Sequence, residues 1–329
     1  MDWKAFPKVE LHLHLDCSLS YEVVRVLDPN VTENEFQHEF KAPYDCCHLI
    51  DYIKRASRPI ALMQTKEQLR LVTLDLFRQL KEDNVVYAEI RFAPLQHLEK
   101  GLTPEEVVVA VNEATEEGIR TYGLEAGIIL CTLRHYSEAQ SMLTVKLAEQ
   151  FKNTRVVGFD IAADEAGYPV DAHISAFDYA HQQAIPCTAH AGEACGPTSV
   201  WTVLEHLKPA RIGHGVRSAE DEQLLLHLKE HNIHLEVCPT SNVKTGVFAD
   251  IKQHSIPQLY QSGVSMSINT DGRTIADTTL TNEYNLIEQV FQWNFDRFKT
   301  CNLEAIKHAF ASPDVKQRIR KQLEEAYRQ

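Results

Sequence analysis

Eight short apolar runs recur along the whole length of the chain, each followed by a segment of helical spacing. No other feature restricts the possible folds as much. The runs are KVELHLHL (8–15), VVYAEIRFAP (85–94), LEAGIILCTLR (124–134), VVGFDIAAD (156–164), IPCTAHAGE (185–193), RIGHG (211–215), IHLEVCP (233–239) and VSMSINTD (264–271). Short runs, several rich in Val and Ile, read as strands buried on both faces, the condition of a parallel sheet.

The segments between them predict helices. In 67–84, Leu69, Leu71, Leu74, Phe77 and Leu80 fall near one face. In 103–118, Thr103 stands as N-cap, Pro104 at the first helical position and acids in the first turn. Further helices fit 137–152, 173–184, 198–207, 219–231 and 278–292, and the long gap after the first run holds extra ones around 20–27, 45–55 and 67–83. Eight strand–helix units predict an α/β TIM (β/α)8 barrel with extra helices inserted after the first strand, residues 1–329 forming one domain. An open doubly wound sheet shares the alternation, but a count of eight, with polar residues at the ends of many strands, favours the barrel.

Composition narrows the partners. A net charge of −13 opposes nucleic-acid backbones and anionic membranes, leaving small molecules or proteins, although acidity is common among soluble enzymes generally. No stretch approaches the roughly 18 apolar residues of a membrane span, and the N-terminal stretch lacks a secretory pattern. Cys17, Cys46, Cys47, Cys131, Cys187, Cys195, Cys238 and Cys301 are scattered without a Cys-x-x-Cys, so they read as reduced and mostly structural, with a cytoplasmic location as the default. Nothing in the sequence sets an oligomeric state.

Ionisable residues gather where the proposed strands end, the face on which barrels place their active sites. His12 and His14, two apart on a strand, point the same way. Alone they fit a hydrogen-bonded polar layer as well as a metal. Adding His190 and Asp271 gives three imidazoles and a carboxylate, a donor set suited to zinc, which polarises bound water. Glu193 reads either as a proton donor raised by burial or as a first-turn acid of the next helix. His214, between Gly213 and Gly215, reads either as a group aligning the attacking water or as a structural histidine. His234-Leu235-Glu236 offers the H-x-E of cytidine-type zinc deaminases, but no Pro-Cys-x-x-Cys accompanies it.

PKVELHLHLD (7–16), VVGFDIAADE (156–165), HAGE (190–193), RIGHG (211–215), EVCPTSN (236–242) and NTD (269–271) together resemble the adenosine deaminase family of the amidohydrolase superfamily. The resemblance implies one zinc per chain on His12, His14, His190 and Asp271. It makes Glu193 the acid toward purine N1 and His214 the support of the nucleophile. Asp16 becomes the partner of the ribose 5′-hydroxyl, and Ser241 a supporting group near the pocket. His14, Asp16, Ala163 and Gly272 are then the substrate-facing positions. The implied reaction is hydrolytic deamination of adenosine and 2′-deoxyadenosine.

Three positions depart from the family pattern. Gly272, followed by Arg273, stands where a second aspartate bonds purine N7. Ala163 replaces a glycine near N3, and Cys17 replaces the glycine after the ribose-binding aspartate. These keep open another aminopurine as substrate: adenine, a 5′-modified or N6-substituted adenosine, or an aminofutalosine-type nucleoside. A non-catalytic nucleoside-binding protein is the remaining alternative. Arg273 and its loop are expected to reshape the N7 edge of the pocket.

Overall fold

The computed structural model describes residues 1–43 and 48–328. Eight strands appear where the apolar runs lie: β1 Lys8–His14, β2 Val85–Phe92, β3 Glu125–Leu133, β4 Val156–Ala162, β5 Thr188–Ala191, β6 Arg211–His214, β7 His234–Val237 and β8 Met266–Ile268. They form two parallel four-stranded sheets in sequential order, β1 to β4 and β5 to β8. Single bridges join the halves, Phe159 to Cys187 and Leu13 to Asp271. The first is held by Phe159 N donating to Pro186 O at 2.9 Å; the second by His14 N donating to Asp271 O at 2.7 Å and Asp271 N to His12 O at 3.0 Å. β8 therefore returns to β1, as the TIM barrel requires.

Helices occupy each expected interval, including Lys66–Glu82, Pro104–Tyr122, Glu138–Gln150, Ile174–Gln182, Pro197–His206, Glu222–Glu230 and Leu280–Phe291. Local chemistry explains their starts. Thr103 and Ser137 each close a capping box, satisfying two of the amides that a helix N-terminus leaves unpaired. The insertion after β1 carries the short helices Tyr21–Leu27, Leu49–Ile53 and Ser57–Ala61. Cys46, Cys47 and the beginning of the helix expected at 45–55 lie outside the described residues. The six described cysteines are free. Among the described residues, no helix is long and apolar enough to cross a membrane.

Two terminal helices, Phe295–His308 and Pro313–Ala326, go beyond the sequence expectation. Asn302 of the first accepts from Val9 N at 2.8 Å, tying it to β1. Trp3, Tyr284 and Phe298 pack as aromatic neighbours beside it.

The turn after β8 is anchored from outside the barrel. Arg273 is buried and pairs with Asp83, the residue that ends Lys66–Glu82. Asp83 also accepts from Leu280 N at 2.8 Å and Thr281 N at 3.0 Å, so one carboxylate holds both the turn and the start of the next helix. The side chain of Arg273 thus leads away from the barrel mouth, contrary to the expectation that it shapes the pocket edge. Asp83→Ala would leave a buried guanidinium unpaired, and the expected loss is about 3–5 kcal/mol. Denaturant or thermal unfolding measures this; an unchanged transition would refute the anchoring role.

Candidate active site

The strand ends bend out of extended conformation just where the polar residues begin. Ala163, Gly192, His214 and Asp271 have φ of +79°, +67°, +61° and +65°. Left-handed backbone costs non-glycine residues of order 1–2 kcal/mol, so the surrounding contacts must fix it.

His12 and His14 share a face of β1, with ring centroids 5.4 Å apart. His190, from the end of β5, lies 4.5 Å from His12 and 5.3 Å from His14 by ring centroid. One nitrogen of each ring falls within 4.8 Å of the others. Asp271 Oδ1 stands 3.3 Å from His14 Nε2 and 3.5 Å from His12 Nε2. All four residues predicted as ligands are therefore together. His12 Nε2 is buried without a hydrogen-bond partner, and the Nε2 atoms of His14 and His190 face each other at 3.2 Å. A cation among these atoms would satisfy the orphan and relieve the confrontation, so the donor set fits a metal. His12, His214 and Cys238 form a second, overlapping group of possible donors.

Behind the imidazoles lies a layer that the sequence reading gave no role. His12 Nδ1 meets Glu236 Oε2 at 2.9 Å, and His190 Nδ1 meets Asp160 Oδ2 at 3.2 Å. Arg91 donates to both carboxylates at 2.7 Å, and Arg211 donates to Glu236 at 2.7 Å. Isolated carboxylates inside the apolar runs of β4 and β7 were the available signal. Gly213 is needed for packing: a Cβ there would lie 2.9 Å from His12 Cε1 and 3.2 Å from His190 Cγ.

Burial dominates the titration of the centre. It lowers His14 and His214 well below the ordinary histidine value and lowers His190 as well. Asp271 is pushed upward by burial, but the neighbouring imidazoles of His12, His14 and His214 hold it well below the carboxylate range. Glu193 goes the other way. Burial, then the charges of Asp271 and Glu165, raise it well above 4.5. Both effects favour its protonated form.

Glu193 follows β5 and is buried, with Oε1 unpartnered and Oε2 3.5 Å from His214 Nε2. Glu165, also given no role from sequence, fixes this turn by accepting from Gly192 N at 2.7 Å and from Glu193 N and Cys195 N at 3.0 Å. Asn242 Nδ2 contacts His214 Nδ1 at 3.1 Å. If the amide donates there, Nε2 carries the ring proton.

A cavity of about 310 Å³ opens beside these groups, under the insertion. Asp16 and Ala163 line it, as do Tyr52 and Ile53 of the inserted helix. Burial raises the Asp16 carboxyl to about 6. Ser241 donates to Asp271 Oδ2 at 2.7 Å. The departures at 17 and 272 prove to be one feature. A Cβ on Gly272 would lie 2.6 Å from Cys17 Cβ, so the cysteine occupies the room that a side chain at 272 would need.

The whole chain is similar to known proteins. The family model described as Adenosine deaminase matches residues 7–326. An adenosine deaminase of Enterococcus faecalis is 36% identical, with 98% of each chain covered. Among solved structures, an amidohydrolase of Burkholderia ambifaria with bound Zn is 20% identical with a TM-score of 0.90, covering 99% of this chain and 91% of that one. The Arabidopsis N6-mAMP deaminase MAPDA is 25% identical with a TM-score of 0.87, covering 99% of this chain and 100% of that one.

Two substitutions test the local geometry. Gly272→Asp alone should destabilise the fold by about 1–3 kcal/mol through overpacking against Cys17, and adding Cys17→Gly should recover most of the loss. Additive effects of the two changes in unfolding experiments would contradict this coupling. Ala163→Gly should raise stability by up to about 1 kcal/mol by relieving left-handed alanine backbone; a clear loss would show that the methyl packs usefully.

Proposed function

Because the chain belongs to the adenosine deaminase family, we propose that it hydrolyses the 6-amino group of an adenine nucleoside, adenosine and 2′-deoxyadenosine foremost, releasing ammonia and the 6-oxo purine. The observation that carries this reading is the meeting of three imidazoles and Asp271 with a buried Glu193 across one cavity. His12, His14, His190 and Asp271 would hold one zinc ion, which the three-nitrogen, one-carboxylate set suits. Bound there, zinc would polarise a water and bring its pKa toward neutrality.

The chain's own residues supply the rest. Glu193 holds a proton for purine N1, so that negative charge need not build on the ring as C6 is attacked. His214, with Nδ1 held by Asn242, turns Nε2 toward Glu193 and the cavity, where it orients the attacking water. Asp16 accepts from a ribose hydroxyl, and the backbone at Ala163 approaches the purine edge. Ile53 and Tyr52 from the insertion help shield the cavity from bulk water.

Charge separates a nucleoside from a nucleotide. Setting aside Glu193, the proton donor, and Asp271, which would hold the metal, Asp16 and Asp164 line the cavity, while Lys54, also on its lining, is exposed and paired with Asp51. A 5′-phosphate would meet more acid than base, which supports an uncharged substrate. Rates on adenosine, 2′-deoxyadenosine, AMP, adenine and N6-methyladenosine test the choice. Adenosine should have the highest kcat/KM, and preference by orders of magnitude for any of the last three would sink it.

Mechanism is tested separately. Glu193→Gln should retain stoichiometric zinc yet lose about 10²–10⁴-fold in kcat. His12→Ala should lose metal and turnover together, as read by metal analysis and ammonia release. Since protonated Glu193 is the working form and its pKa is raised, kcat/KM should persist well above pH 4.5 and fall as pH rises through the raised value. A fall already near pH 4.5 would remove Glu193 as the acid.

A further inference from the structure

If Glu193 faces N1 of a bound purine, as the proposed function has it, ring chemistry decides what the opposite wall must offer. C6 is bonded to N1 on one side and to C5, which bears N7, on the other. With N1 at Glu193, the N7 edge looks toward the wall lined by Asp271, Cys17 and Tyr52, with Gly272 beside them. N7 has only a lone pair to present, so a buried N7 calls for a donor.

Gly272 has no side chain to supply one. Cys17 fills the adjoining volume, but its thiol is directed at Asp16 Oδ1, 3.5 Å away. The hydroxyl of Tyr52 reaches the same wall from the helix Leu49–Ile53 and lies 3.6 Å from where a Cβ on Gly272 would stand. Its bond to Asp271 Oδ2 is long, 3.4 Å, and that oxygen already receives Ser241 at 2.7 Å. The phenol is thus a weakly engaged donor at the edge of the cavity. A phenol carries its O–H at neutral pH.

We propose that the Tyr52 hydroxyl donates to N7 of the bound purine and thereby selects nucleosides whose five-membered ring carries that nitrogen. The inserted helix then contributes a specific contact as well as a cover. Gly272 and Cys17 fit the same arrangement, since a Cβ at 272 would collide with the cysteine and stand in contact with the phenol.

Tyr52→Phe removes the donor and keeps the ring. Calorimetric binding of inosine and 7-deazainosine to the zinc-loaded wild-type and variant proteins tests the contact without turnover. Inosine binding should weaken about three- to tenfold in the variant, while 7-deazainosine changes by less than about twofold. Equal losses for both ligands, unchanged inosine binding, or a wild type that binds neither ligand would each overturn the proposal. Ammonia release from adenosine by the wild type is measured in parallel. A protein that distinguishes the two ligands through Tyr52 but releases no ammonia would refute the deaminase reading and leave this contact standing.

Discussion

A single buried guanidinium underlies the chemistry of this barrel. Arg91, on β2, crosses the interior to Asp160 on β4 and Glu236 on β7. Each carboxylate in turn holds an imidazole, His190 and His12 respectively. Charges this deep are tolerable only when every one is paired, since desolvation costs several kcal/mol per ion. Arg211 adds a second cation to Glu236, and burial notwithstanding, the two guanidiniums keep that carboxylate well below its ordinary pKa. The carboxylates therefore stay ionised and grip Nδ1 of each ring, leaving Nε2 to face the mouth. Imidazole orientation is thus a property of the barrel interior and not of the loops above it.

Closure of the barrel and assembly of the centre are the same event at one point. β8 ends at Ile268, yet Asp271 exchanges two backbone hydrogen bonds with β1, at His12 O and His14 N. That exchange holds Asp271 at a φ of +65° and sets its carboxylate between the two histidines. Outside, the Arg273–Asp83 pair prevents the turn from peeling away. The strain at Asp271 is sustained because contacts on both sides of the barrel wall determine it.

Much of this was legible in the sequence, for identifiable reasons. Strands buried on both faces advertise themselves as apolar runs, so all eight could be placed. His12 and His14 announce their common face by a spacing of two. Asp160 and Arg91 were passed over, and Glu236 was weighed only in the His234-x-Glu236 pattern, because their meaning arises only when non-neighbouring strands meet across the interior. Glu165 was missed for the same reason: its partners are backbone amides around Gly192, in another strand's turn. The helices Phe295–His308 and Pro313–Ala326 follow the last strand and so fell outside a pattern built on strand–helix alternation. Arg273 was read by adjacency to Asp271, but its side chain obeys the buried carboxylate behind it.

The departures at 17 and 272 make a related point about where specificity resides. Taken separately, a cysteine for a glycine and a glycine for an aspartate suggest two unconnected losses. In the fold a Cβ added at 272 would stand 2.6 Å from Cys17 Cβ, so each explains the other: the side chain has moved from one wall segment to its neighbour. This exchange leaves the imidazoles untouched, because their carboxylate supports come from β4 and β7, while the altered wall comes from the turns after β1 and β8 and from the inserted helix. The imidazole cluster and the cavity wall around Cys17 and Gly272 are therefore held by different parts of the molecule, and the second can change while Arg91 keeps the first in place.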